Sequence, residues 1–124
     1  MKIVIPFRTP TINHLYGQRK TGFGQTRFLK KEAVELREEI KKICQKKNVG
    51  KLRGKKLKLN VEVYENWHTK KGEVKKIDIS NREKFLVDSV FLGLGLDDKF
   101  IFEHTMKKIQ SDKEKSVIII EELK

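Results

Sequence analysis

The alternating segment at residues 55–66 constrains the fold of this chain most strongly. Apolar side chains occupy every second position from 57 to 63 of this segment; they are Leu57, Leu59, Val61 and Val63. A period of two places one row of side chains on each face of a strand. Because a strand with one apolar face needs a second layer to cover that face, the chain must build a sheet with something packed on one side.

Two segments with helical periodicity can supply that second layer. Over residues 29–47 apolar residues recur at spacings of three and four, which is typical of an amphipathic helix. A second helix is predicted over residues 81–94, with Gly93 and Gly95 as its terminators.

The remaining segments are predicted as three strands and one long loop. Residues 2–7 form a short apolar strand that ends at a proline, and residues 99–109 and 115–123 are predicted as two strands of a hairpin. Residues 8–28, rich in glycine and basic side chains, are expected to form a loop that becomes ordered on binding. The element order is therefore β-α-β-α-β-β. This order indicates an α+β fold: a single domain over residues 1–124, with two helices packed on a small mixed sheet.

Charge is distributed unevenly along the chain, whose net charge is +12. Residues 1–60 hold 17 Lys and Arg against four acids, whereas residues 61–124 hold 12 against 13. A strongly basic half favours a polyanionic partner such as nucleic acid. A surface rich in Lys and Glu, as in thermophilic proteins, is the alternative explanation.

Composition excludes several classes of protein. No apolar run approaches the roughly 18 residues of a membrane-spanning helix, and no signal-peptide pattern opens the sequence. The single cysteine, Cys44, leaves no disulfide framework and no Cys-based zinc site. We therefore expect a cytoplasmic protein with no membrane partner.

The strongest chemical signal lies around the second predicted helix. Four of the five aspartates of the chain fall within 21 residues; they are Asp78, Asp88, Asp97 and Asp98. At 100° per residue, Asn81, Lys84 and Asp88 share one helix face, opposite to the face that carries the apolar residues. Clustered carboxylates beside a basic half indicate a metal-binding centre next to a polyanion-binding surface. Taken without the preceding residues, the Asp97-Asp98 pair could also be a solvated turn.

The order of these residues resembles that of the RusA-type Holliday-junction resolvases. That family has an Asp-x-Asp-Asn-x-x-Lys helix start, then a helical Asp, then an Asp-Asp pair after the helix. The matching positions in this chain are Asp78, Asn81, Lys84, Asp88, Asp97 and Asp98. The N-terminal part agrees more loosely, through Pro6, Asn13, Tyr16, Glu32 and Arg37.

The resemblance implies a homodimeric, Mg²⁺-dependent endonuclease that cuts four-way or branched DNA symmetrically, with Mn²⁺ as a possible substitute for Mg²⁺. It implies that Asp78, Asp97 and Asp98 bind the metal. Asp78, Lys84 and Asp98 are the expected catalytic residues, and Ser80, Asn81 and Asp88 are expected to shape the site. The basic side chains that we expect to contact DNA are Arg19, Lys20, Arg27, Lys30, Lys75 and Lys76.

One position departs from the family pattern, because Ser80 stands where the family has a second Asp. Ser80 and Glu83 fit an S-x-x-E capping box, so the helix start is expected to persist while one negative charge is lost. The alternative function is a junction-binding or nucleic-acid-binding protein with weak or no cleavage. A nucleic-acid-binding module without chemistry, for RNA as well as DNA, and a metal-binding structural subunit of a larger assembly also remain open.

Overall fold

A four-stranded sheet and two helices form the main body of the protein in the computed structural model. The structure describes residues 1–11, 16–21 and 24–124, and between residues 16 and 29 it describes the backbone alone. The bounds are β1 Lys2–Ile5, β2 Tyr16–Thr21, β3 Gly24–Leu29, α1 Lys31–Cys44, β4 Leu57–Glu65, α2 Ser80–Leu94, a 3-10 turn Asp98–Phe100, β5 Ile101–Gln110 and β6 Lys115–Glu122. The expected α+β architecture with a mixed sheet is confirmed. No helix in these described ranges is long and apolar enough to cross a membrane.

The alternating segment becomes β4, an inner strand of the sheet. The strand order is β1-β6-β4-β5, in which β4 runs antiparallel to β6 and parallel to β5. In this register Val61 lies beside Ile118 on one side and Met106 on the other. Every second residue of β4 is buried, which confirms the predicted alternation.

The predicted hairpin of β5 and β6 is wrong, because β4 lies between these two strands. The chain leaves β5 and crosses the end of β4, where the Ser111 N–H donates to the Glu65 carbonyl oxygen at 3.0 Å. The largely exposed β5 occupies an edge of the sheet. Direct pairing of β5 with β6 would deprive the apolar β4 of one neighbour, so burial determines the order of the strands.

The loop predicted over residues 8–28 is also wrong in part. β2 and β3 pair antiparallel in a separate two-stranded sheet, with Tyr16 opposite Leu29 and Thr21 opposite Gly24. This segment has no alternating apolar face in the sequence, so hydrophobic periodicity could not reveal the pairing. Asn13, which belongs to the loose N-terminal match, lies outside the described residues.

Both predicted helices are present; α2 ends at Leu94 as predicted, whereas both ends of α1 differ from the prediction. α1 begins after β3 rather than at Leu29, because Leu29 is the last residue of that strand, and it ends three residues earlier than expected. α2 is followed by Gly95, whose φ of 70° is the left-handed conformation that glycine adopts at a helix end.

Gly93 has a different role from the predicted one, because it lies inside α2 rather than at its end. A Cβ at this position would come within 3.1 Å of Lys41 Cα and 3.0 Å of Cys44 Cβ, both on α1. The missing side chain therefore permits the close contact between α1 and α2.

The core lies between the helices and the sheet. It is apolar and draws on β1, α1, β4, α2 and β6, while β5 adds only the partly buried Ile101 and Met106; its members include Ile3, Ile5, Ile40, Leu59, Val61, Phe85, Leu86, Val90, Ile118 and Ile120. This packing fixes the apolar face of α2 against the sheet, and the opposite face is thereby presented outward.

Candidate active site

An open cleft of about 540 Å³ lies where α1, α2 and the turn after α2 meet. The lining residues are Arg37, Asp88, Phe91, Leu92, Gly95, Leu96, Asp97 and Asp98. Three of the four clustered aspartates therefore share one cleft, together with an arginine from the other helix. We call this cleft, lined by these eight residues, the acidic cleft.

The two faces of α2 are as predicted. Leu86, Val90 and Leu94 are buried against the core. On the other face, the side chains of Lys84 and Asp88 are 55% and 37% exposed, and Lys84 Nζ lies 3.4 Å from Asp88 Oδ2. An exposed pair of this kind contributes little to stability, so the ammonium can exchange its partner at low cost.

The Asp97-Asp98 pair is held by the 3-10 turn that precedes β5. Asp97 Oδ1 accepts a hydrogen bond from the Lys99 N–H at 2.9 Å, and this contact caps the turn. Asp97 Oδ2 lies 3.8 Å from Lys99 Nζ. The Asp98 carboxylate forms no hydrogen bond or ion pair with the described part of the chain, so it is the member of the pair that is ready to accept a ligand.

Asp78 does not belong to the lining of the acidic cleft. It is exposed and lies two residues before α2. The segment that carries it is anchored by Lys108 of β5, whose ammonium donates to the Ile77 carbonyl oxygen and also lies 4.9 Å from the centre of the Trp67 ring. This anchor fixes the backbone beside Asp78 and leaves its carboxylate in solvent.

The donor chemistry of the cleft suits Mg²⁺, although the described chain forms no closed cage. Among the described residues, no three His, Cys, Asp or Glu side chains are placed so that they could hold a metal ion together. Mg²⁺ prefers oxygen ligands, keeps several waters and is commonly held by one or two carboxylates plus substrate phosphate. The arrangement therefore fits an open site with few protein ligands.

The predicted capping box at Ser80 is wrong. Ser80 is already the first helical residue, and the preceding Ile79 has helical angles (φ −58°, ψ −37°) with no side-chain cap. A capping side chain requires a residue with extended backbone before the first turn, and Ser80 does not meet that condition. Glu83 makes a different contact, because its Oε1 lies 3.0 Å from His104 Nδ1 on β5.

A buried ion pair beneath the start of α2 was not anticipated from the sequence. Arg82 is fully buried; one Nη lies 2.8 Å from a Glu65 carboxylate oxygen, and the other donates to the Thr9 carbonyl oxygen. Burial lowers the pKa of Arg82, and the Glu65 charge opposes that shift. The helical spacing could have indicated this burial, since Arg82 lies four residues before Leu86 and eight before Val90, on the apolar face of α2.

The basic residues predicted to contact DNA fall into two groups. Arg19, Lys20 and Arg27 lie on the β2–β3 hairpin, opposite Thr26, Gln25 and Gln18 respectively, and their side chains are outside the described part of the structure. The second group flanks the helix starts. In it Lys30 and Lys76 are exposed and Lys75 is half-buried. Contact with DNA stays a prediction for all six.

Taken together, these features define a small basic α+β domain with a carboxylate-lined cleft beside the outward face of one helix. The family model described as Endodeoxyribonuclease RusA matches residues 6–121 of the chain. The chain therefore belongs to the RusA endodeoxyribonuclease family, which confirms the resemblance seen in the sequence. Membership implies an endonuclease that resolves Holliday junctions and acts on branched DNA. A search of curated proteins gives no match to this chain.

Proposed function

We propose that this protein is a homodimeric, Mg²⁺-dependent endonuclease that cuts four-way DNA junctions symmetrically, with the acidic cleft as its site of hydrolysis. The observation that carries the proposal is the convergence of Asp88, Asp97 and Asp98 in one open cleft of a chain from an endodeoxyribonuclease family. The homodimer follows from symmetry, because two related cuts in one junction call for two sites related by a two-fold axis.

Within the acidic cleft, Asp98 and Asp97 would hold Mg²⁺, or Mn²⁺ in its place; Asp78, the third metal ligand that the family resemblance implies, lies outside the cleft lining and forms no three-carboxylate set with them among the described residues. Within the described part of the chain neither carboxylate oxygen of Asp98 has a partner, whereas Asp97 uses one oxygen to accept the Lys99 N–H. Asp78 is exposed and positioned by the anchored segment before α2. When bound, the ion supplies polarisation of a phosphoryl oxygen and a lower pKa for a neighbouring water.

The reaction exchanges one phosphorus–oxygen bond for another. The oxygen of a water molecule forms a bond to phosphorus, and the bond from phosphorus to one sugar oxygen breaks. The attacking water loses a proton to solvent, and the leaving sugar oxygen takes one up. Lys84 supports this step, because its exposed ammonium beside Asp88 can stabilise the negative charge that develops on the phosphate or on the leaving oxygen.

The basic first half of the chain supplies the sequence-independent attraction to DNA. The contacts that we propose from this half are those of the β2–β3 hairpin, through Arg19, Lys20 and Arg27, and that of Lys30. Lys75 and Lys76, which precede α2 in the second half, add to them. Each phosphate contact contributes roughly 0.9 to the slope of log affinity against log salt. Junction binding is therefore expected to weaken steeply as salt is raised.

A second candidate function is favoured by two observations at the same site. Ser80 replaces an expected carboxylate, and the described residues contain no closed set of three metal ligands. These observations support a protein that binds junctions with weak or no cleavage.

The experiment that separates the two functions uses a labelled four-way junction and a linear duplex of the same sequence. With Mg²⁺ present, we expect paired nicks at symmetric positions of the junction and none in the duplex. Asp98→Asn and Asp78→Asn should abolish the nicks, while Asp112→Asn, on the turn between β5 and β6, should cleave like the wild type. Binding without nicks at any Mg²⁺ or Mn²⁺ concentration would contradict the nuclease and support the second function.

A further inference from the structure

Arg37 is the basic member of the lining of the acidic cleft, and two contacts hold its guanidinium in place. Its Nε donates to Ser89 Oγ at 3.1 Å, and Ser89 is fully buried within α2. Its guanidinium carbon also lies 5.4 Å from the centre of the Phe85 ring. A long side chain on α1 is therefore fixed by two residues of α2.

The remaining donors of Arg37 are left for a ligand of the cleft. Ser89 uses only the Nε–H of a guanidinium that carries five N–H donors. Within the described ranges, Arg37 forms no ion pair with the cleft aspartates; Asp88 pairs with Lys84 and Asp97 with Lys99. An arginine that served only to neutralise these carboxylates would be in contact with them.

The negative charge of the cleft would oppose the binding of a DNA phosphate unless a cation is also present. Asp88, Asp97 and Asp98 repel a DNA phosphate at short range, and a cation among them offsets this repulsion. A guanidinium presents parallel N–H groups that match two oxygens of one phosphate, which an ammonium cannot do.

We propose that Arg37 is a catalytic residue that donates hydrogen bonds to the non-bridging oxygens of the phosphate being cut. The proposal rests on the acidic cleft being the site of hydrolysis. Arg37 stabilises the charge that builds on these oxygens as water attacks phosphorus. Ser89 is a positioning residue, because it is buried and acts on the phosphate only through Arg37.

The test measures single-turnover cleavage of a four-way junction by saturating dimer, together with junction binding and the melting temperature. Arg37→Met keeps most of the apolar stem and removes the donors, and we expect its cleavage rate to fall about 100-fold. Binding should change much less, because many other phosphate contacts support it. Lys42→Met, an exposed residue of the same helix, removes the same charge and should leave the rate unchanged.

Two further variants test the geometry. Arg37→Lys keeps the positive charge but lacks the parallel N–H donors of the guanidinium, so we expect a cleavage rate well below that of the wild type. Ser89→Ala should slow the wild type several-fold and should not slow Arg37→Met any further, because both changes act on the same donor.

The outcomes are distinct. If Arg37→Met cleaves at the wild-type rate and has only a lower melting temperature, then Arg37 is a packing residue and this proposal is overturned. If Arg37→Met does not fold, the same result from Arg37→Lys overturns it. If the wild type and Lys42→Met bind the junction but do not cleave it, the proposed function itself fails, and the role of Arg37 fails with it.

Discussion

The buried ion pair of Arg82 and Glu65 leads to the strongest stability prediction for this fold. Replacing Glu65 by Leu removes the acceptor that lies 2.8 Å from the Arg82 guanidinium. The Thr9 carbonyl oxygen would be the remaining buried acceptor of Arg82, whose Nε already has no hydrogen-bond partner among the described residues. Glu65→Leu therefore leaves a buried cation without its counter-charge.

Removing one member of a buried pair typically costs about 3–5 kcal/mol in the free energy of unfolding. For a domain of this size, each kcal/mol corresponds to roughly 4 °C in melting temperature, so a fall of roughly 12–20 °C is expected. The compensating variant is Glu65→Leu with Arg82→Met, which replaces both charges by apolar groups and should recover most of the loss.

The assay is urea unfolding followed by circular dichroism for the wild type, both single variants and the double variant. A loss below about 1 kcal/mol for Glu65→Leu would refute the reasoning, since that is the scale of a solvent-exposed pair. A double variant no more stable than Glu65→Leu would refute it as well, because the penalty would then not come from the unpaired charge.

Three further predictions concern the two helices. Gly93→Ala should destabilise the protein by about 1–3 kcal/mol in urea unfolding, because its Cβ would strike the backbone of α1; Gly50→Ala, where the nearest atom to an added Cβ is 3.4 Å away, is the matched control. Burial raises the pKa of the Cys44 thiol from 9.0 to about 11. The stability that the protonated thiol contributes should therefore be fully present below about pH 9 and should be lost as pH rises through 11. Unfolding of Cys44→Ala should lack this loss, and an equal loss in that variant would contradict the assignment. Ser80→Asp should preserve the fold and maintain or raise junction cleavage with Mg²⁺; a clear fall in the rate would mean that Ser80 is itself part of the site.

Hydrophobic period predicted the elements whose side chains divide cleanly between core and solvent. β4 shows this best, because each apolar residue of the alternating segment is buried in the structure. The same holds for α2, where Leu86 and Val90 face the core and Lys84 faces solvent. In both elements, the local sequence alone indicates which face is buried.

Pairing between strands is not a local property, and here prediction from the sequence failed. The period of β5 and β6 indicates two strands but does not say that β4 lies between them. The sequence of β2 and β3 has no alternation of apolar and polar residues, so their pairing left no periodic signal.

The sequence predicted most of the residues of the candidate site but not which of them meet in space. Spacing placed Lys84 and Asp88 on one helix face, and the structure brings Asp88, Asp97 and Asp98 into one cleft. Asp78 lies outside the lining of that cleft, and Arg37 joins it from α1, because the crossing of the two helices decides which side chains meet. That crossing depends on contacts such as the one at Gly93, which no pattern within either helix reveals.

The central claim is that the acidic cleft hydrolyses junction DNA on two strands of one molecule. Its most direct test is a supercoiled plasmid that extrudes a cruciform, incubated with the protein and Mg²⁺. We predict linear plasmid from the wild type, because both cuts occur in one binding event. From Asp98→Asn we predict uncut supercoiled plasmid, although this variant still binds a junction. Cutting by Asp98→Asn at the wild-type rate, or binding by the wild type with no cutting at all, would contradict the claim.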